Sequence, residues 1–271
     1  MTHFSVLMSV YNKENPDFLQ QSLDSIFNQT LPPSEVVLVQ DGPLSEQQLQ
    51  VIQRFQTAHP ELKTVPLAAC HGLGGALNEG LRHCSYDLVA RMDTDDISKP
   101  ERFKTQIDWM EQHPETDICG SWIDEFTGDV SNVISSRRPP CEHKDIVNFA
   151  RRRNPLNHPT VVFRRKAVEA AGGYQHFYLF EDYYLWIRMI MAGSRFHNIQ
   201  QSLLFFRMSD DMFLRRGGLK YTRSEIRLQH QLHQIGFIGW GTMMRNIAYR
   251  TVVRNMPNKL RRLVYITLLR R

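Results

Sequence analysis

Apolar residues in the first half of the chain follow two alternating patterns. Short, nearly continuous apolar runs occur at "FSVLMSVY" (4–11), "EVVLVQ" (35–40), "LKTVPL" (62–67), "DLVARMD" (87–93) and "DICGSWIDEF" (117–126). Their length and their β-branched and aromatic content predict buried strands. Between them the spacing becomes helical. Residues 16–29 place Leu19, Leu23, Ile26 and Phe27 on one face, and 74–84 turn Leu77 and Leu81 inward. Residues 45–59 and 100–114 read as two more helices, the latter opening with Pro100 at a first-turn position where its missing N–H costs nothing. Strand and helix taking turns predicts an α/β fold, a mostly parallel central sheet with helices on both faces.

The alternation loosens past residue 130. "RRPPCEHK" (137–144) is a break, "HPTVVFRR" (158–165) a strand, and "KAVEAAGGY" (166–174) a short helix ended by Gly172-Gly173. "EDYYLWIRMIMAG" (181–193) predicts a helix that packs through Leu185, Met189 and either Ile190 or Ala192. "SLLFFRM" (202–208) is a last strand, and residues 220–271 read as helical and basic. There are no internal repeats and no low-complexity segment.

Composition narrows the class. The chain has 271 residues, 42% of them hydrophobic and 23% charged, as expected for one large soluble domain or a domain with a tail. No run of about 18 apolar residues occurs, so no spanning helix is expected. "MTHFSVLMSVYN" lacks a basic start followed by a cleavable apolar segment and is read as a first strand. Cys70, Cys84, Cys119 and Cys141 form no C-x-x-C pair. Neither a zinc site nor a disulfide framework is expected, and a reducing cytoplasm is the simplest home. Charge is uneven: residues 1–136 hold 8 Lys and Arg against 20 Asp and Glu, and residues 137–271 hold 25 against 8. The last acid is Glu225, after which nine basic residues follow. Such a tail invites a polyanion, either nucleic acid or an anionic membrane surface.

In open α/β sheets, ligands bind beyond the carboxyl ends of the strands. Three predicted strands end in polar residues there: Tyr11-Asn12, Asp41, and Asp93-Thr94-Asp95-Asp96. Three carboxylates within four positions repel one another. One of them would serve as a helix cap; three suit a hard divalent cation shared with a substrate phosphate. "HGLGGALNEG" (71–80) misses the dinucleotide fingerprint because Leu77 stands where a third Gly belongs. It reads either as a plain turn into a helix or as a close backbone approach to a nucleotide at Gly72, Gly74 and Asn78. Glu181-Asp182 at a helix start is either a pair favoured by the helix dipole or an acid–base group.

In order along the chain, "SVLMSVYN", "VQDG", "GLGGALNEGL", "ARMDTDDI", "HPTVVFRR" and "FEDYYLWIRM" closely resemble the family 2 glycosyltransferases. These are inverting enzymes with the GT-A nucleotide-sugar fold, and the likeness runs over about residues 3–218. It is greatest to bacterial transferases that build O-antigen or exopolysaccharide repeat units. The resemblance implies that Val10, Tyr11 and Asn12 hold the nucleobase and ribose, and that Asp41 bonds the base. It puts Arg91, Asp93, Thr94 and Asp96 around the ribose, diphosphate and donor sugar. Asp95, with Asp93, would ligate Mn²⁺ or Mg²⁺. Asp182 would be the base, with Glu181 its neighbour or an acceptor ligand; Trp186 would be either an acceptor contact stacked on a sugar face or core, and His158 either structural or an acceptor contact. Many members carry Pro where Ser9 stands, and two acids where Gln40-Asp41 stands. In "FLRRGG" (213–218), Arg215 and Arg216 form either a solvated turn or a lid that clamps the diphosphate.

The resulting expectation divides the chain into a transferase domain, 1–218, and a basic amphipathic extension, 219–271. The domain's 1–130 half binds the nucleotide sugar and its 131–218 half binds the acceptor. The expected reaction moves glucose or galactose from a UDP-sugar to a polyprenyl-diphosphate-linked saccharide, with a β-linkage as product. The extension mixes Trp, Phe, Ile and Leu with arginines, which suits attachment to the inner face of the cytoplasmic membrane or simple packing on the protein, and no specific nucleic acid. A sugar-nucleotide pyrophosphorylase would carry a Gly-rich loop with Arg and Lys after the first strand, where this chain has "VYNKENPD". A non-catalytic, membrane-attached nucleotide-sugar binder is the remaining alternative, and an intact Asp182 argues against it.

Overall fold

The computed structural model describes residues 2–208 and 218–255. The first half runs β1 (Phe4–Val10), α1 (Pro16–Phe27), β2 (Glu35–Gln40), α2 (Glu46–Ala58), β3 (Leu62–Pro66), α3 (Gly72–His83), β4 (Leu88–Arg91), β5 (Ile97–Ser98), α4 (Arg102–Gln112) and β6 (Ile118–Phe126). The second half runs β7 (Val133–Arg137), α5 (His143–Ala150), a 3-10 turn at His158–Thr160, β8 (Val162–Arg164), α6 (Arg165–Ala170), α7 (Glu181–Met191), β9 (Phe196–Arg207), α8 (Gly218–Gln234) and α9 (Trp240–Asn255).

Nine strands make one sheet in the order β3-β2-β1-β4-β8-β6-β9-β5, with β7 added on β6. The strands β1 to β4 are mutually parallel and β6 is parallel to β9, while β8, β5 and β7 pair antiparallel with their neighbours. The near-continuous apolar strands are explained by burial on both faces. On β1, Phe4, Val6, Met8 and Val10 pack toward α1, α2 and α4, while Leu7 joins α3 and α7 on the other face. Gly80 of α3 lies so close to the sheet that a Cβ there would sit 2.4 Å from Leu7 Cδ1 and 2.6 Å from Val39 Cγ2. Only a glycine lets that helix settle on β1 and β2.

A third core joins α7 to the C-terminal helices. Tyr183 and Ile187 of α7 meet Tyr221, Leu228 and Leu232 of α8 and Met243 of α9. The described part of the extension therefore packs on the protein; residues 256–271 lie outside the described residues.

Four local expectations are corrected. Helix α4 begins at Arg102, since Pro100 and Glu101 form the turn leading into it. The stretch 158–165 is a 3-10 turn followed by a three-residue strand. The last strand starts at Phe196, six residues earlier than expected. Strands β5 and β7 and helix α5 were not foreseen.

Candidate active site

The loop after β4 is held from all sides. Arg91 is 1% exposed, and its Nη2 donates to Asp93 Oδ1. The carbonyl of Asp93 accepts from Ser22 Oγ at 2.8 Å. Arg102, fully buried, donates to the Arg91 carbonyl at 2.6 Å, and burial beside Arg91 pushes its pKa down to about 9. From the end of β9, Arg207 donates its backbone N–H to Asp96 Oδ1 at 2.8 Å and its Nε to the Asp95 carbonyl at 2.8 Å. The backbone of the aspartate loop is thus fixed by residues from α1, α4 and β9, and its carboxylates are brought within 4.8 Å of one another.

That arrangement leaves negative charge under-compensated. Asp96 is fully buried, and burial together with Asp95 and Asp93 raises its pKa well above the usual carboxylate range. Its Oδ2 is buried without a hydrogen-bond partner among the described residues. Glu14, in the turn after β1, is pushed up to about 7 by burial, Asp95 and Asp93. Three carboxylate ligands this close, with repulsion that spreads to a fourth acid, fit a divalent cation bound through oxygen. On the other side, Nε and Nη1 of Arg91 are buried with no partner among the described residues, which leaves two N–H donors for ligand oxygens.

Other residues expected at the nucleotide are held in place by hydrogen bonds within the protein. Val10 has its side chain in the core, and its carbonyl accepts from Asp41 N at 2.8 Å. Asp41 is 5% exposed; its Oδ1 accepts from His71 N at 2.6 Å and its Oδ2 from Cys70 Sγ at 3.1 Å, so it orders the approach to α3. Tyr11 gives its carbonyl to Glu14 N at 3.0 Å and to Gln48 Nε2 at 2.9 Å, while Asn12 is exposed beside it. Thr94 is 3% exposed, and its hydroxyl donates to the Ser9 carbonyl at 3.3 Å. Asn78 grips Tyr174 at both ends, donating to its carbonyl at 2.6 Å and accepting its N–H at 2.8 Å. Its amide is therefore engaged by the backbone. Gly72 takes a positive φ of 75° where α3 starts. Gly74 lies against α7, where a Cβ would be 3.3 Å from Glu181 Cγ.

Helix α7 carries the acidic pair. It follows Leu179, the one non-glycine residue with positive φ (64°) among the described residues. Asp182 accepts from Asn154 Nδ2 at 2.6 Å through Oδ2 and from Tyr183 N at 2.7 Å through Oδ1. Burial raises its pKa, and those two bonds pull it back. Glu181 is pushed up to about 7 by burial, with Asp182 adding repulsion. His158 bonds Tyr174 Oη at 2.8 Å, and burial beside Arg91 keeps its imidazole neutral. Trp186 is fully buried in the core, the second of the two readings its spacing left open.

A cavity of about 730 Å³ collects Arg91, Asp93, His158, Glu181 and Asp182 in its lining. Val10, Tyr11, Asn12, Asp41, Gly72, Gly74, Asn78, Thr94, Asp95, Asp96 and Trp186 do not line it. Arg215 and Arg216 lie outside the described residues. Glu14, Asn154 and Arg207 were missed by sequence reasoning. Each reaches the site from a separate part of the chain, and only Glu14, inside the loop after the first strand, stood near a flagged residue. The cavity can hold a phosphate-bearing ligand against Arg91 and Asp93 and present a carboxylate to its partner.

Comparison with known proteins gives a consistent picture. Residues 5–172 match the family described as Glycosyl transferase family 2. The chain is 46% identical over 265 residues to the amylovoran biosynthesis glycosyltransferase AmsE of Erwinia amylovora, with 97% of each chain covered. It is 36% identical over 268 residues to a UDP-Gal:alpha-D-GlcNAc-diphosphoundecaprenol beta-1,3-galactosyltransferase of Escherichia coli, covering 99% of this chain and 97% of that one. Among solved structures, it resembles the mannosyltransferase PcManGT of Pyrobaculum calidifontis in complex with GDP-Man and Mn2+, with a TM-score of 0.66 at 16% identity, covering 96% of this chain and 71% of that one. At so low an identity the structural likeness establishes the fold, which is GT-A. The sequence likeness, extending over nearly the whole chain, establishes the rest: the chain belongs to glycosyltransferase family 2.

Proposed function

We propose that this glycosyltransferase moves a hexose, glucose or galactose, from a UDP-sugar to a polyprenyl-diphosphate-linked saccharide in surface polysaccharide assembly. The transfer proceeds with inversion and gives a β-linkage. The observation that carries the reading is the shared cavity: Arg91 and Asp93 line it together with Asp182, a half-buried carboxylate oriented by Asn154. The relative that uses a UDP-galactose donor and a diphosphoundecaprenol-linked acceptor supports the choice of substrates.

In this reading residues 1–130 hold the donor and 131–218 the acceptor. Arg91 directs its two unpartnered N–H groups to diphosphate oxygens. The acceptor hydroxyl attacks the anomeric carbon from the side of Asp182, which takes the hydroxyl proton as the bond to the diphosphate breaks. Burial raises the basicity of Asp182, and the Asn154 bond keeps it aimed. Glu181 serves as neighbour to the base or as an acceptor ligand. Asp95 and Asp93 would hold Mn²⁺ or Mg²⁺, which when bound offsets the charge on the departing nucleoside diphosphate.

No helix among the described residues is long and apolar enough to cross a membrane. Exposed Trp240, Met244 and Val252 on α9 support peripheral attachment of the extension at the inner face of the cytoplasmic membrane.

The test is a donor screen. Purified protein is incubated with Mn²⁺ and each common UDP-, GDP- and dTDP-sugar, and nucleoside diphosphate release is followed with and without EDTA. Release from one UDP-hexose, abolished by EDTA, is expected. Absence of both release and donor binding for every sugar would sink the reading.

A further inference from the structure

The cavity has a second, differently charged wall that the donor site does not use. Helix α9 contributes Arg245, Asn246, Tyr249, Arg250 and Val253 to the lining, a stripe at i, i+1, i+4, i+5 and i+8 that faces one way. Beside it stands the turn that follows α5, with Arg152 and Arg153 in the same lining. The two are bolted together: Asn246 Nδ2 donates to the Arg151 carbonyl at 2.9 Å and to Gln229 Oε1 at 2.9 Å, and Arg250 donates to the Arg152 carbonyl. Asn154, which orients Asp182, is two residues beyond Arg152.

Charge on this wall is one-sided. Arg250 is neutralised by Glu225, which is 3% exposed behind it. Arg152 and Arg245 are exposed, and neither α9 nor the turn at 151–153 contributes a carboxylate to the lining. Apolar surface adjoins the arginines: Tyr249, in the same lining, is 52% exposed, and Val252, two turns along the helix from Arg245, is 61% exposed. A ligand that satisfies both features carries a compact anion next to a hydrocarbon chain. The donor diphosphate is accounted for by Arg91 and the aspartate loop, so this anion is a second one.

We infer that Arg152 and Arg245 bind the diphosphate of the acceptor and that the exposed apolar residues of α9 receive the start of its polyprenyl chain. This rests on the lipid-linked acceptor proposed above. The anchoring would place the acceptor's first sugars toward Asp182 and exclude saccharides that lack the diphosphate. Guanidinium forks suit such an anion better than ammonium groups do.

The experiment is calorimetric binding of farnesyl diphosphate, farnesol and inorganic pyrophosphate to the full chain, with Mg²⁺ and saturating UDP to fill the donor site. Farnesyl diphosphate is expected to bind alongside UDP, inorganic pyrophosphate more weakly, and farnesol least. The double substitution Arg152→Ala and Arg245→Ala is expected to weaken farnesyl diphosphate binding by at least about tenfold, as loss of a charge-assisted hydrogen bond does, with UDP affinity unchanged. The Arg152→Lys and Arg245→Lys pair should fall between. Three results would overturn the inference: no binding, binding that competes with UDP, or equal binding by wild type and the alanine pair. Donor turnover by a protein that fails this test would leave the transferase reading intact. Binding that passes it without any donor turnover would count against the transferase reading alone.

Discussion

The two walls of the cavity are built on opposite electrostatic plans. At the end of β4, three carboxylates crowd one short loop, and the cations beside them, Arg91 and Arg207, are buried and already hydrogen-bonded to it. On α9 and the turn after α5, arginines line the cavity, and Glu225 of α8 is tied to Arg250. In the reading proposed above, the first wall takes a diphosphate through Arg91 together with a cation held by Asp95 and Asp93. The second has positive charge to offer and accepts an anion directly. On the proposed reading the two walls would sort two anionic substrates, and Asp182 lies in the lining of the same cavity.

The largest effect should come from the acidic wall. Asp95→Ala is expected to weaken metal-dependent UDP binding by at least about 100-fold while farnesyl diphosphate binding stays as in wild type. Calorimetry with both ligands checks this, and a parallel loss of both would collapse the two walls into one site. Asn154→Ala should act between the walls. It removes the bond that holds Asp182 and lowers its pKa, so kcat falls by about tenfold and the acidic limb of the pH–rate profile moves to higher pH. Unchanged KM for the donor would mark Asn154 as a positioning residue.

A smaller effect concerns stability at the start of α7. Burial pushes Glu181 from an ordinary 4.5 up to about 7, so the folded chain holds this proton more tightly than the unfolded chain does. Its contribution is complete below pH 4.5 and is lost as pH rises toward 7. Glu181→Gln has no proton to lose there. The variant should exceed wild type by about 1–2 kcal/mol at pH 8, and the gain should vanish at pH 4. Denaturant titrations at the two pH values measure it.

What could be read from the sequence follows the same division. The strands β1 to β4 declare themselves because parallel strands buried on both faces are continuous apolar runs. Strand β5 has two residues, and its partner is set by Ile97 facing Phe205 across more than a hundred positions, so no local pattern announces it. Asp93, Asp95 and Asp96 were legible because one loop carries all three, as were Glu181 and Asp182 at a helix start. Asn154 and Arg245 were not, because tertiary packing alone brings them to the cavity, nor was Arg207, which packing brings to the aspartate loop. Asn78, Thr94 and Trp186, flagged from the sequence, also have structural contacts that no local pattern announces. A polar or aromatic residue near a motif looks like a ligand contact until its hydrogen bonds and its burial are known.

The measurement that tests the central claim most directly is transfer of labelled hexose from the UDP-sugar found in the donor screen to a diphosphate-linked lipid acceptor, comparing wild type with Asp182→Asn. The account predicts a β-linked product from wild type. It predicts a loss of kcat on the order of 10³-fold in the variant, with UDP binding retained. Turnover by Asp182→Asn within tenfold of wild type, or an α-linked product, would contradict it.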